Sequence, residues 1–193
     1  MNVVILLGSI RTGRASQRVA YYLRDRLLAE TDIHVHLLDL AEQPLPLFQE
    51  RWQKMDHSPQ ELVAYGHHLA QADAMLFVSP EYHGSYTGVL KNAIDHYWEE
   101  FRLKPIGVVA TGSGRMGGIN ASTEMQQLVL SLGAFPLPQK LVVPYVREAF
   151  DADNQPHDAA LGKQADRFLQ EFLWFSRAIT YARQQSRQPI PAM

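Results

Sequence analysis

The apolar positions of this chain fall into short unbroken runs that alternate with longer stretches of helical period. Residues 3–7 are a continuous apolar run that ends at Gly8-Ser9. A run with no polar alternation predicts a strand buried on both faces, as in a parallel sheet. Residues 16–29 then place Val19, Leu23 and Leu27 at every fourth position, on one helical face, with Ser16 positioned as the N-cap. Residues 33–40 set Ile33, Val35 and Leu37 against His34, His36 and Leu38, which predicts a less buried strand at a sheet edge.

Residues 42–59 hold three prolines together with Phe48 and Trp52, and predict a long loop. Helices are expected over 59–72, 87–101, 120–132 and 158–183, the last with Ala165, Phe168, Leu169, Phe172 and Leu173 on its core face. Strands are expected over 74–79, 105–111 and 135–143. Five strands alternating with five helices predict one flavodoxin-like α/β domain over residues 1–193: a doubly wound, five-stranded parallel sheet with helices on both faces. Ligands of such sheets bind beyond the carboxyl ends of the strands, near the topological switch point. The loops to inspect are therefore 8–16, 79–87 and 111–120.

Composition narrows the chemistry. A net charge of −2 provides no field to gather nucleic acid or a membrane surface. With no cysteine, disulfides, thiol catalysis, iron–sulfur clusters and thiolate zinc sites are excluded. Redox chemistry would need a bound cofactor. The N-terminal apolar run is too short to span a bilayer and no basic segment precedes it, so a cytoplasmic protein is expected. His34 and His36 share a strand face, but a metal would need a third ligand and none is evident, so no metal is expected. His67 and His68 read as surface residues, and Lys91 with Asp95 as a structural pair at i, i+4.

The first loop, from Gly8 to Arg18, leaves a buried strand and enters a helix. The unpaired amides and partial positive charge of a helix N-terminus suit a phosphate. Ser9, Thr12 and Ser16 add hydroxyls, and Arg11 and Arg14 add forked cationic donors. Neither a Walker ending nor a full Rossmann fingerprint is present; a surface turn with solvated arginines reads the loop equally well. In the second loop Gly84 and Gly88 permit close backbone approach, and Tyr82 and Tyr86 offer flat faces for a planar ring. The third loop, residues 112–118, holds four glycines in seven positions.

Taken together, Gly8-Ser9-x-Arg11, then Ser79-Pro80-Glu81-Tyr82 leading into Gly88-x-Leu90-Lys91-Asn92-Ala93-Ile94-Asp95, and the Gly112–Gly118 turn resemble the NADPH-dependent FMN reductase family. That family has the flavodoxin-like fold and includes quinone, azo-dye and chromate reductases. The resemblance implies FMN as cofactor and NADPH or NADH as co-substrate. It implies that Ser9, Arg11, Arg14 and Ser16 hold the FMN phosphate. It assigns the ring to backbone groups of Pro80, Glu81, Tyr82 and His83, and the ring's other edge to Gly112, Ser113 and Gly114. No protein side chain is expected to be catalytic, because flavin N5 takes the hydride. The family usually has Asn at the position of His83 and often Pro at that of Thr87.

The expected function is transfer of hydride from NAD(P)H through FMN to a small acceptor such as a quinone, free flavin, azo compound or metal oxyanion. The alternatives are a flavodoxin-like electron carrier and a fold-mate that binds a different phosphate. A homodimer or homotetramer is also expected. Val89, Ala93 and Tyr97 form one apolar stripe on the third helix, and Leu90, Ile94, Trp98 and Phe101 form a second. So wide an apolar arc needs a cover, either the 42–59 loop or a second copy of the chain.

Overall fold

The computed structural model describes residues 1–185, and the last part of the expected domain, residues 186–193, lies outside the described residues. The strands are β1 (Asn2–Leu7), β2 (His34–Asp39), β3 (Ala74–Pro80), β4 (Pro105–Thr111), β5 (Phe135–Pro136) and β6 (Leu141–Val143). The helices are α1 (Ser16–Leu28), α2 (Gln60–Gln71), α3 (Gly88–Asp95), α4 (Ile119–Ser131) and α5 (Ala159–Gln185). All pairings are parallel, in the order β2-β1-β3-β4-β5, with β6 also on β4. This is the doubly wound, flavodoxin-like arrangement that the alternating pattern predicts, with the switch point between β1 and β3.

Strand alternation divides the interior into two cores. Val3, Ile5 and Leu7 of β1 face α1 and α5, with Leu23, Phe168 and Phe172. Val4 and Leu6 face α2, α3 and α4, with Tyr65, Ile94 and Met125. β1, β3 and β4 are buried along nearly their whole length, which is why their sequences are unbroken apolar runs. β2 pairs only with β1, and its first four residues keep some contact with solvent, as its alternation predicts. Among the described residues no helix is long and apolar enough to cross a membrane.

Three boundaries differ from expectation. The fifth strand is not continuous over 135–143. It is two short pieces on the same edge of β4, because Pro136 and Pro138 lack the amides a ladder needs. The third helix stops at Asp95, not at Phe101. Beyond it the His96 carbonyl accepts from Trp52 N (3.2 Å), a residue of the 42–59 loop, which therefore captures the end of the helix. Ser16 is the first residue of α1 and not its cap; the preceding Ala15 is helical and no side chain caps the helix.

The 42–59 loop, which includes a short 3-10 turn at Trp52–Lys54, is strapped to α3. Phe48 N donates to Asn92 Oδ1 (2.8 Å), Asn92 Nδ2 donates to Pro46 O (2.8 Å), and Trp52 Nε1 donates to Glu100 (2.8 Å). The loop therefore covers much of the apolar arc of α3. Leu90, Ala93, Ile94, Tyr97 and Phe101 are all buried within one chain. Lys91 and Asp95 form the expected pair at 2.7 Å. His36, on β2, packs its ring 4.4 Å from that of His68, so His68 is half-buried and not free at the surface.

Lys104, at the amino end of the sheet, is 4% exposed and donates to the last carbonyls of α2, Leu69 O (2.6 Å) and Ala70 O (2.8 Å). Burial pushes its pKa down from 10.5 to about 8. The unfolded chain then holds this proton up to a higher pH than the folded chain. The Lys104 contribution to stability is fully present above the unfolded value and is lost as pH falls through the folded one. Urea unfolding should show wild type gaining on Lys104→Met by about 1–3 kcal/mol between roughly pH 8 and pH 10.5. A difference that is flat with pH would contradict the assignment.

Candidate flavin site

Loops from the carboxyl ends of β1, β3, β4 and β6 surround an open cavity of about 340 Å³, within the range of ligand sites. Ser9, Arg11, Arg14, Ser16, Pro80, Glu81, Tyr82, Gly112 and Ser113 line it; His83 and Gly114 do not. Thr111, Val146 and Arg147 also line it, and sequence reasoning did not place them in the site.

The first loop is fixed from within. Arg14 forms a two-pronged pair with Asp39, the last residue of β2, with the Nη2–Oδ2 arm at 2.7 Å. Its Nη1 also donates to Ser9 O (2.7 Å). These hydrogen bonds raise the Arg14 pKa still further. Its charge is thereby matched by a carboxylate of the chain, and the pair fixes the shape of the loop. Arg11 is exposed at the cavity with no such partner. Ser16 Oγ shares a hydrogen bond with Thr111 Oγ1 (2.8 Å), which ties α1 to the end of β4. The uncapped amino end of α1 thus opens on the cavity beside a free guanidinium. That donor set fits a phosphate.

The second loop is equally determined. Glu81 N donates to Thr111 O (2.9 Å), and the Glu81 carboxylate accepts from Asn120 N and Ala121 N (both 3.0 Å), capping α4. Tyr82 and Ser85 exchange backbone hydrogen bonds (2.9 and 3.1 Å) around His83 (φ +53) and Gly84 (φ +81). Two successive positive φ values make this a type I′ turn, for which Asn-Gly is the favoured pair. His83 occupies the Asn position of that turn, its side chain exposed and away from the cavity. Tyr82 lines the cavity, whereas Tyr86 packs against the α3 side of the core.

Gly84 is constrained by its own backbone and not by its surroundings. A β-carbon there meets nothing within 4 Å; the constraint is the positive φ. Gly84→Val should cost about 1–2 kcal/mol and loosen flavin retention. Gly84→Asn should be tolerated, because Asn adopts the left-handed region readily, and His83→Asn should leave both stability and flavin intact. Thermal melts with released-flavin fluorescence check all three; a Val variant that matched wild type would contradict the turn argument.

A doubly wound sheet with a cavity at its switch point, lined by hydroxyl and guanidinium residues, is the arrangement of a flavodoxin-like protein. The sequence profile of the family described as NADPH-dependent FMN reductase matches residues 1–148, and the chain belongs to that family. It is thus an NAD(P)H-dependent FMN oxidoreductase, with FMN as cofactor. It is 32% identical over 147 residues to an FMN-dependent NADPH-azoreductase of Staphylococcus aureus, covering 73% of this chain and 76% of that one. Among solved structures it is similar to FerB, a flavoenzyme NAD(P)H:(acceptor) oxidoreductase from Paracoccus denitrificans. The TM-score is 0.76 at 25% identity, covering 92% of this chain and 97% of that one. A flavodoxin from a pneumococcal Streptococcus shares the fold at a TM-score of 0.58 and 14% identity, covering 91% and 99% of the two chains.

Proposed function

We propose that the whole chain acts as one flavin-binding domain that passes reducing equivalents from NAD(P)H to a small organic acceptor of the quinone or azo class. The observation that carries this reading is the cavity itself, which Arg11, the uncapped start of α1 and Tyr82 all line. Bound FMN supplies the hydride chemistry. Ser9, Arg11 and Ser16 hold its phosphate, and Arg14 keeps their loop in shape through Asp39. The 80–82 backbone and the 112–114 turn flank the ring, and Tyr82 lies beside it. The similarity to an azoreductase supports the azo class of acceptor. The cytoplasm, where NAD(P)H is supplied, is the setting this reading assigns.

Absorption spectra with added FMN, followed by anaerobic NADPH and then a quinone or an azo dye, test the reading. A flavin spectrum that NADPH bleaches and the acceptor restores supports it. A protein that takes up no flavin, or bleaches without turning over either acceptor, would refute it.

The same reading includes a homo-oligomer. The chain's own loop covers much of α3, so the contact would lie on what remains. A hollow of about 300 Å³ lined by Phe48, Ile94, Trp98, Leu128 and Leu132 opens between that loop, α3 and α4. Two-fold pairing is the commonest way to cover such a surface. Trp98→Ala should convert a wild-type dimer or tetramer to monomer in light scattering, since it removes a large aromatic anchor of the hollow. A monomeric wild type at micromolar concentration would end this part of the proposal.

A further inference from the structure

Arg147 stands on the turn after β6, in a stretch that carries no recognisable motif. The turn is rigidly held. Val146 N donates to Gly112 O (3.0 Å), and Glu148 N and Ala149 N both donate to Tyr145 O (2.9 and 3.0 Å). Val146 is buried, and Tyr145 is held at φ +46. A non-glycine residue adopts that conformation at a cost, and such strain persists where the surroundings enforce it, often at functional sites. The result is that Arg147 lines the same cavity as Ser9, Arg11 and Ser16.

The charges around this cavity do not cancel. Of its lining arginines, Arg14 is matched by Asp39, and the Glu81 carboxylate is occupied by the amides of α4. Arg11 and Arg147 have no hydrogen-bond or ion-pair partner among the described residues. Two free guanidinium charges therefore meet in one cavity, in a chain whose net charge is −2. A phosphate monoester carries about −1.5 to −2 at neutral pH. Arg11 and a helix end worth about half a charge match only the lower end of that range, and leave the full dianion about half a charge short.

We propose that Arg147 supplies the second cationic contact to the FMN phosphate, so that Arg11 and Arg147 together neutralise the dianion. This rests on the flavin reading of the cavity. Riboflavin, which lacks the phosphate, separates the two. Both flavins are titrated into the flavin-free full-length protein and followed by flavin fluorescence. Arg147→Ala should weaken FMN roughly tenfold or more, as Arg11→Ala should, while changing riboflavin affinity by less than about twofold. Arg147→Lys should recover part of the loss, and the decline of FMN affinity with salt should become shallower in Arg147→Ala. Arg147 is exposed, so its truncation leaves the core intact, and a thermal melt verifies this.

If Arg147→Ala keeps the wild-type preference for FMN over riboflavin, the inference is wrong although the flavin site stands. If the wild type itself shows no such preference, the flavin reading of the cavity fails and takes the inference with it. Unchanged FMN affinity with a raised KM for NADPH but not NADH would assign Arg147 to the co-substrate's phosphate, and this too overturns it.

Discussion

Arg14→Ala should lower the stability of the flavin-free protein by about 3–5 kcal/mol, toward the lower end of that range. The side chains of the pair are 8% and 7% exposed, so removing the guanidinium leaves the Asp39 carboxylate buried without its counter-charge. One donor remains to it, Ala41 N at 3.0 Å, and this moderates the loss. For a chain of this size 3 kcal/mol corresponds to a fall in melting temperature of roughly 6–12 °C. Removing both charges, in Arg14→Met with Asp39→Leu, should cost less than the single change, because no orphaned charge is left. The same substitution should weaken FMN indirectly, since the Ser9 carbonyl loses its donor and the first loop its anchor. A single variant that melts within about 2 °C of wild type would show the pair to be dispensable.

Gly117→Ala should be the most damaging single-methyl change near the site. Gly117 has φ +60, and a β-carbon there would lie 2.7 Å from both Pro144 N and Val142 Cγ1 and 3.0 Å from Val143 C. Two of those atoms are backbone, so relief requires moving β6 off β4 or distorting the turn that carries Arg147. The conformation alone costs about 1–2 kcal/mol, and the forced shift adds a comparable amount. Gly114→Ala is the control: it has no positive φ and nothing within 4 Å of the new carbon, so it should change stability by less than about 0.5 kcal/mol. Chemical denaturation of both variants checks the contrast. Equal losses would show that glycine content, and not this contact, governs the loop.

These two positions also mark how far the residue pattern carries. The core strands are legible because β1, β3 and β4 are covered on both faces, which leaves a continuous apolar signature. The break between β5 and β6 follows from proline chemistry at 136 and 138, visible only once the ladder on β4 is known. The shortened α3 is not legible, because its end is set by Trp52, a residue more than forty positions earlier. In the site, the motifs locate the cavity wall but not the allegiance of its charges. Arg14 reads as a phosphate ligand until β2 brings Asp39 alongside the end of β1, in register with Leu7. For Glu81 the motif speaks only of the backbone, and the bond of its carboxylate to the amides of α4 emerges from the fold. Arg147 is invisible to motif reading because what places it in the site is a strained turn, and Tyr145 is not a residue type that announces one.

The Glu81 contact has a consequence for what the cavity can admit. A carboxylate of the chain closes off the amino end of α4, whereas no side chain caps the amino end of α1, which lines the cavity. A group that reaches the amino end of α4 therefore finds amides already bonded to that carboxylate. One phosphate should be held more readily than two, so the flavin-free protein should bind flavin mononucleotide more tightly than the adenine dinucleotide form in a fluorescence titration.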